Sequence, residues 1–572
     1  MRFGAWLVWW LLNAALFVPS YLCARRGAAF WPDPSQLLSR DNQDVFRVAF
    51  ELGCVWLLTV WTARWPRAWR VVRVLGVTGY LTLLVFLAYH QGVRTFFARK
   101  PALGEDWRLA LNLGHFLGSV MSPRWLVLCV AAALVPTALG LALAAMIRRL
   151  QLQAQHWSRR QLWWVTGLFL APCFAVFAVF GLRSDAPVVQ LLSKRVYANA
   201  KASYYEAQRL AEIRQGEPDR TYDGYRSLQL ARKPDVYLLM LEAYGEVLAT
   251  WDMAPAYRVL MARVEARLAA AGYSSRSVYS HAPVHGGTSW FSISSVHTGM
   301  RIDRPTAYDA LVLLGPRVPS ITGFFREHGY GTYALMPGNT HHKGLYMRDT
   351  FAHDVMVDGP ALGYEGPQYG FGVIPDQYAI GVMRERYLPR AAAPRYVFYM
   401  CVTTHFPWDS LPPYVRDFHD LSTGGGEPSD VDASWPAIPE AASIGSPLRQ
   451  AYFRSIAYEW RLLVEWLEHE PARDVVVAIL GDHQPRLETD VPGGVNLRTP
   501  LHVLARDPAF VERFAEQGFQ PGMYADPQRG PSLRHEGFFS LWVSKLMAAY
   551  GAPDAPPVQH LPHGLGLSGL NR

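Results

Sequence analysis

The chain has 572 residues, of which 50% are hydrophobic and 18% are charged, and its formal net charge is +8. This length exceeds what a single hydrophobic core usually supports, so we expect at least two domains. The charged fraction is low for a soluble protein of this size, and much of the positive charge lies in short loops between apolar segments. Such a charge marks membrane topology, so we expect no nucleic-acid partner.

Apolar runs dominate the first third of the chain, and we predict five membrane-spanning helices there. Each is close to the roughly 20 residues that cross a hydrocarbon core. They lie at residues 6–21, 46–62, 71–88, 126–146 and 163–182. The first is interpreted as a span and not as a cleaved signal peptide, because four more spans follow and residues 23–26 give a poor cleavage context.

Arginines determine the predicted orientation. The loop between the second and third spans and the loop between the fourth and fifth spans carry arginines and no acid, so both are predicted to be cytoplasmic. After an odd number of spans, the rest of the chain lies on the opposite side. The arginine-rich, lysine-poor composition is typical of a GC-rich bacterial genome. We therefore predict a multi-pass protein of the bacterial cytoplasmic (inner) membrane, with its second part on the extracytoplasmic or periplasmic side.

Four regions are predicted along the chain. They are a five-helix transmembrane domain at 1–185, a connecting amphipathic helix and linker at 186–232, an extracytoplasmic α/β domain at 233–551 and a flexible tail at 552–572. In the α/β domain, apolar strands alternate with amphipathic helices, which is typical of a mainly parallel sheet covered by helices. Only one of the five cysteines, Cys401, lies in this domain, which must therefore be stable without internal disulfides.

Reactive side chains follow three of the predicted strands. Glu242 ends the strand DVYLLMLE, His405 ends YVFYMCVTTH, and Asp482 and His483 come after DVVVAIL and a glycine. In open parallel sheets, functional groups collect beyond the carboxyl ends of the strands. Burying a carboxylate or an imidazole is costly unless something pairs with it, so these strand ends predict a metal site. For Glu242 alone, a solvated strand end is the alternative.

A hydroxyl follows two glycines between the first two of these strands, in the segment HGGTSW. Small residues before a hydroxyl at the start of a helix let backbone N–H groups approach an anion closely. The hydroxyl of Thr288 is then well placed to attack phosphorus or sulfur, once a bound cation has lowered its pKa. Taken alone, a Gly-Gly-Thr segment is also a common helix cap.

Glu242, Thr288 in GGTS and GDH at 481–483 together resemble the metal-and-nucleophile set of a known family. That family is the lipoteichoic acid synthases and related phosphoglycerol transferases of the alkaline phosphatase and sulfatase superfamily, which also carry five spans before an extracytoplasmic catalytic domain. The resemblance implies a sulfatase-like fold for 233–551 and one divalent metal ion. Its ligands would be Glu242, the Thr288 oxygen, Asp482 and His483. Manganese, the ion of the synthases, is favoured over the zinc of other relatives, and both suit these ligands.

The resemblance also implies residues that contact the substrate. These are His405, Arg348, Tyr346 and one of the two histidines His341 and His342. The histidine of TTHFPW resembles the family histidine at the transferred phosphate, and the arginine of LYMRD resembles a phosphate-binding arginine, for which a surface ion pair is the alternative. An arginine fork and an imidazole together neutralise a phosphodiester well. The tyrosine stands where the synthases have a tryptophan.

The implied reaction moves a phosphoglycerol group from the membrane lipid phosphatidylglycerol, through a covalent Thr288 intermediate, to a hydroxyl of an envelope glycan or polymer. One alternative is a phosphoethanolamine transferase acting on lipopolysaccharide or another glycan, although such enzymes usually carry several disulfides. A second is a sulfatase-like phosphoester hydrolase; sulfatases themselves need a cysteine or serine at the position of Thr288. A non-enzymatic membrane scaffold is disfavoured because all four implied ligands are present.

Overall fold

In the computed structural model, the described residues are 3–22, 47–97, 101–104, 106, 123–184, 188–215, 220–339, 350–370, 374–388, 394–423, 435–470, 474–487 and 496–566. The chain divides into two compact units, Met1–Ala207 and Gln208–Arg572. The first unit is helical, and the second is built around a β-sheet.

Apolar helices form the first unit. Their bounds are Phe3–Leu22, Phe50–Thr62, Pro66–Phe97, Pro123–Ala154 and Arg159–Phe180, and the more polar helix Ser193–Gln215 leads into the second unit. Among the described residues, three segments are long and apolar enough to cross a membrane, namely Pro66–Arg94, Leu134–Ala154 and Arg159–Phe180. These three are consistent with a membrane anchor.

The prediction of five spans is not confirmed in full. Helices occur at all five predicted positions, but the first two apolar segments, Leu7–Tyr21 and Phe50–Thr62, are shorter than the other three. The second is shorter than predicted because its helix begins only at Phe50. The residues just before it, Val48–Ala49, are extended and pair in parallel with Val189–Gln190.

Nine strands of the described second unit form one sheet. They are β1 (Asp235–Leu241), β2 (Ser274–His281), β3 (Gly331–Met336), β4 (Val355–Asp358), β5 (Arg395–Met400), β6 (Val475–Gly481), β7 (Arg498–Ala505), β8 (Gln520–Pro521) and β9 (Ser532–Arg534). The order across the sheet is β8-β2-β7-β6-β1-β5-β3-β4, and β9 also pairs with β2.

The sheet is mixed, so the prediction of a mainly parallel sheet is right only for one part of it. Strands β4, β3, β5, β1 and β6 are parallel to their neighbours in that part. Strand β7 runs antiparallel to both β6 and β2. The described residues between β6 and β7 form no helix.

The central strand β1 is apolar at almost every position because both faces of the sheet are covered. Tyr237, Leu239 and Leu241 point into one hydrophobic cluster, while Val236, Leu238 and Met240 point into the other. The helices with residues in the first cluster include Ala254–Ala270, Asp376–Val382 and Pro447–Glu468. Those with residues in the second include Ser289–Thr298, Pro305–Leu314, Ile321–Glu327, Pro508–Glu512 and Phe538–Tyr550.

The C-terminal segment was expected to be a flexible tail at 552–572, but its described part lies against the second unit. The N–H of Ala552 donates to the Gln229 carbonyl at 2.9 Å, and the N–H of Leu565 donates to the Gly299 carbonyl at 2.7 Å. Val558, Leu561 and Leu565 pack against the second hydrophobic cluster. These contacts attach the described part of the segment to the rest of the second unit, and its flexibility stays a prediction.

Candidate metal and nucleophile site

Glu242, Asp482 and His483 meet at the carboxyl edge of the sheet, where β1 and β6 end side by side. One potential ligand atom of each lies within 4.8 Å of those of the other two. His483 Nε2 is 3.2 Å from Glu242 Oε1 and 3.3 Å from Asp482 Oδ2. All three side chains are buried. The register of β1 and β6 pairs Leu241 with Gly481, which brings these residues together although they are far apart in sequence.

The electrostatics of this cluster show a need for positive charge. Burial alone would raise the pKa of Glu242, but the charge on His483 and then that on His405 outweigh burial and lower it. Burial and the neighbouring Glu242 hold the pKa of Asp482 well above its usual value. Burial works to lower the pKa of His483, yet the Asp482 and Glu242 carboxylates raise it to about 9. Two carboxylates this close require compensating cationic charge.

Two geometric features of the cluster fit a divalent cation. His483 Nδ1 lies 3.0 Å from the Gln484 carbonyl oxygen, so in the neutral imidazole Nδ1 keeps its proton and the Nε2 lone pair faces the carboxylates. Asp482 Oδ1 accepts the N–H groups of Ala243 at 2.8 Å and His483 at 2.6 Å. Its other oxygen, Oδ2, is buried and has no hydrogen-bond partner among the described residues. An oxygen in that position is costly unless a cation or a proton satisfies it.

Thr288 lies in a tight, left-handed segment of the chain. Its backbone has φ 63° and ψ 42°, and Gly286 and Gly287 before it also have positive φ, at 67° and 141°. For a β-branched residue this conformation is a genuine outlier, with a cost of order 1–3 kcal/mol. The two glycines can adopt such angles without a steric penalty, which explains why they precede the threonine.

The residue after the threonine connects this segment to the acidic cluster. Ser289 is the first residue of the helix Ser289–Thr298, and its Oγ donates to Glu242 Oε2 at 2.6 Å. The same Oγ lies 3.4 Å from His483 Nε2. The helix therefore places Thr288 beside Glu242, Asp482 and His483. Thr288 itself is only 8% exposed.

The loop after β5 is hydrogen-bonded to the backbone of Glu242. The Glu242 N–H donates to Cys401 Sγ at 3.1 Å, and Thr404 Oγ1 donates to the Glu242 carbonyl at 2.7 Å. This loop carries His405, whose Nδ1 contacts the Phe406 carbonyl. Burial lowers the pKa of His405, while the charge of Glu242 works to raise it. A half-buried imidazole thus lies within electrostatic reach of the acidic cluster.

The structure adds two neighbours that the sequence did not single out. Arg486 Nε donates to the carbonyl of Gly286, two residues before the threonine, and the Gly286 N–H donates to the Gln484 carbonyl at 3.1 Å. His535 supports the end of β6, with Nε2 at 3.0 Å from the Gly481 carbonyl. The arginine had a usable signal, because it directly follows the segment GDHQP. The histidine had none, since its partner lies on a distant strand.

Other predicted substrate residues lie outside the described part of the chain. These are Arg348, Tyr346, His341 and His342, all within 340–349. Their roles remain predictions.

A second buried group of potential ligands lies behind the loop of His405. Asp376, Cys401 and Glu459 have ligand atoms within 4.8 Å of one another, and all three are buried. Asp376 Oδ2 accepts the N–H groups of Val402 at 2.8 Å and Thr403 at 2.6 Å. Asp376 Oδ1 and Glu459 Oε2 have no hydrogen-bond partner among the described residues. A single proton between these two oxygens would satisfy both, so this cluster does not require a metal.

Comparison with known proteins gives matches among solved structures. No protein-family model and no curated protein sequence matches the chain. The lipoteichoic acid synthase LtaP from Listeria monocytogenes is 14% identical over 61% of this chain and 81% of its own, with a TM-score of 0.36. The Streptococcus pyogenes phosphoglycerol transferase GacH, in complex with sn-glycerol-1-phosphate, is 12% identical over 61% of this chain and 88% of its own, with a TM-score of 0.34.

A third match is the C-terminal periplasmic domain of EcEptC from Escherichia coli, in complex with Zn. It is 14% identical over 57% of this chain and 86% of its own, with a TM-score of 0.36. The solved structures that this chain is similar to thus include a lipoteichoic acid synthase and a phosphoglycerol transferase.

Proposed function

We propose that this protein is a membrane-anchored, metal-dependent phosphotransferase that moves a phosphoglycerol group from phosphatidylglycerol to a hydroxyl of an envelope glycan or polymer. The observation that carries the proposal is the meeting of Glu242, Asp482 and His483 beside a left-handed Thr288. A hydroxyl held next to such a cluster has the arrangement of a nucleophile activated by a cation.

Glu242, Asp482, His483 and the Thr288 oxygen are the residues that would hold the metal. When bound, a divalent ion at this position lowers the pKa of the threonine hydroxyl and neutralises charge on the phosphate. The orphaned Asp482 Oδ2 and the Nε2 of His483 are the protein atoms best placed to bind it. Manganese and zinc both accept a ligand set of carboxylate, hydroxyl and imidazole, and we favour manganese.

In the first half-reaction, Thr288 Oγ1 loses its proton and forms a bond to phosphorus. The bond from phosphorus to the diacylglycerol oxygen breaks, and diacylglycerol leaves after taking up a proton. A glycerophospho-threonine remains. The N-terminal end of the helix Ser289–Thr298 lies immediately after this residue, and its positive dipole favours the anionic group held there.

In the second half-reaction, an acceptor hydroxyl attacks phosphorus and the Thr288 oxygen leaves and regains a proton. We assign His405 to this step. Its Nδ1 contacts the Phe406 carbonyl, so Nε2 is the ring nitrogen that we assign to accept the proton of the incoming hydroxyl. The lowered pKa of this imidazole favours the neutral form that such a base needs.

A lipid donor is consistent with the apolar helices of the first unit. Three of its described segments are long and apolar enough to hold the chain in a membrane. Transfer of phosphoethanolamine is the nearest rival, and such enzymes usually have disulfide-rich exported domains. In this chain the only cysteine after residue 173 is Cys401, which is free and buried.

The test is mass spectrometry of the Thr288 peptide after the full-length protein is incubated with phosphatidylglycerol and Mn²⁺. We expect a glycerophosphate adduct on Thr288 that is absent in Thr288→Ala and retained in Thr288→Ser, which keeps a hydroxyl. An adduct formed only from phosphatidylethanolamine would instead identify a phosphoethanolamine transferase. Release of glycerophosphate without transfer to any acceptor would identify a hydrolase. No adduct and no turnover with bound metal would contradict the proposal.

A further inference from the structure

We propose that Arg486 binds the phosphate group that is transferred to Thr288. This deepens the proposed function and rests on it for the identity of the substrate. The arginine follows the metal strand closely, after Asp482 and His483, so one short segment of chain would supply both metal ligands and a phosphate ligand.

The position of Arg486 follows from its contacts. Its Nε donates to the carbonyl of Gly286, which holds the guanidinium against the loop that carries the nucleophile. Its charge also acts on Glu242 and on His405, so it lies within electrostatic reach of both. The guanidinium therefore contacts the loop that carries the threonine and lies within electrostatic reach of Glu242 and His405.

A count of charges shows why a cation is needed there. The carboxylates of Glu242 and Asp482 together balance the charge of a divalent ion, and His483 is a neutral ligand when it binds a metal. The negative charge of a phosphodiester, and the further charge that develops on its oxygens during transfer, then need cationic groups besides the metal ion, and the predicted phosphate ligand Arg348 lies outside the described residues. A guanidinium beside the nucleophile loop supplies the missing charge.

The side chain is chemically suited to this role. A guanidinium is planar, always charged and has several N–H donors in a fixed fork, which matches the oxygens of a phosphate. The bond from Nε to Gly286 orients this fork. A lysine at the same position would keep the charge but lose the fork, so Arg486→Lys separates charge from geometry.

The first experiment compares rates of adduct formation on Thr288 in the full-length holoprotein. We expect Arg486→Gln to slow the reaction about 100-fold, as for loss of one charge-stabilising donor, and Arg486→Lys to lie between that variant and the wild type. Arg529→Gln is the control, because Arg529 is 80% exposed and pairs with the neighbouring Asp526. Its adduct should form at the wild-type rate.

A second experiment distinguishes phosphate binding from a purely structural contact with Gly286. In the metal-loaded Thr288→Ala protein, inorganic phosphate is the probe, and we expect Arg486→Gln to weaken its binding at least 10-fold without changing the metal content. Phosphate should also protect Arg486 from modification by phenylglyoxal in the wild-type chain, a measurement that requires no variant. Unchanged phosphate affinity and no protection would overturn the inference.

The outcomes of these experiments separate the inference from the proposed function. If the wild type forms no Thr288 adduct from either lipid, yet phosphate protects Arg486 and its affinity depends on this arginine, the proposed donor is wrong and the phosphate site stands. If the adduct forms at the same rate in Arg486→Gln as in the wild type, the transferase stands and the role of Arg486 is wrong.

Discussion

Glu459 is predicted to hold a proton at neutral pH and to share it with Asp376. Both carboxyl groups are fully buried, and each has one oxygen that lacks a hydrogen-bond partner among the described residues. Burial raises the pKa of both groups, and the charge of Asp376 raises that of Glu459 further, well above its usual value. Glu459 Oε1 accepts from the Tyr399 hydroxyl at 2.8 Å, which leaves Oε2 to carry the proton toward Asp376.

The sign of the pH effect follows from the raised pKa. An unfolded glutamate ionises near pH ~4.3, whereas the folded one keeps its proton to much higher pH. Above pH ~4.3 the folded state thus binds more protons than the unfolded state, so the free energy of unfolding falls as the pH rises. The loss from this one group is about 1.4 kcal/mol per pH unit until the folded pKa is reached.

Glu459→Gln removes this fall in the free energy of unfolding with pH, because its amide N–H can donate to Asp376 Oδ1 and does not titrate. We expect this variant to match the wild type near pH 5 and to become more stable than the wild type as the pH rises toward 8. Glu459→Met is the control, since it also removes the titration but leaves Asp376 Oδ1 and the Tyr399 hydroxyl without the contact that Glu459 provides. It should be destabilised at every pH, by about 1–3 kcal/mol for each unsatisfied group.

The measurement is the urea transition of the detergent-solubilised full-length chain, followed by tryptophan fluorescence at pH 5, 6, 7 and 8. An equal pH dependence in the wild type and in Glu459→Gln would refute the shared proton. A bound cation at Asp376, Cys401 and Glu459 is the competing explanation. It would appear as a second equivalent of metal that is lost in Glu459→Gln.

Three further predictions concern the candidate site. Ser289→Ala removes the 2.6 Å bond to Glu242, so metal affinity measured by calorimetry should fall 10–100-fold, and an unchanged affinity would contradict the link between the helix and the ligand. Gly481→Ala would place its Cβ 1.9 Å from the Tyr244 carbonyl oxygen, so we expect a loss of at least about 3 kcal/mol in unfolding free energy, and a normal melting temperature would show that this contact relaxes. A metal ion present at a hundredfold excess over its Kd stabilises the folded state by about 2.7 kcal/mol. Chelation should therefore lower the melting temperature of the wild type by the corresponding amount, and His483→Ala should show no such shift.

The sequence predicted those strands that can be recognised from the pattern of apolar residues along the chain. Strands β1 and β6 are apolar at nearly every position, and the structure buries both of their faces. By contrast, β2 contains serines and an arginine, has no such pattern, and was not predicted as a strand. The antiparallel return of β7 also has no local signature, since strand direction depends on the connection and on the partner.

The candidate site likewise has a part that the sequence predicted and a part that it could not predict. The strand ends of β1 and β6 were predicted to converge, and the geometry places Glu242, Asp482 and His483 together. The role of Arg486 depends on its contact with Gly286, which is far away in sequence, and no pattern of residue types encodes that contact. The same holds for the pair of Asp376 and Glu459, which two separate helices bring together.

The strained conformation of Thr288 depends on the same contacts that form the acidic cluster. A left-handed, β-branched residue costs of order 1–3 kcal/mol, and a hydrogen bond contributes about 1 kcal/mol, so one contact alone would not hold it. The loop is fixed on both sides instead: Gly286 bonds to Gln484 and Arg486, and Ser289 bonds to Glu242.

Two of these three partners follow directly after the metal strand, and the third is itself a proposed metal ligand. Anything that moves the metal ligands therefore also relaxes the loop that positions the hydroxyl. Metal binding and the position of the loop can be separated in Glu242→Gln, which weakens a metal ligand but keeps an oxygen at this position. Its amide can still accept from Ser289 Oγ, so if the serine bond is what holds Thr288 in place, this variant should keep the phosphate affinity that Ser289→Ala loses when both are measured at saturating metal.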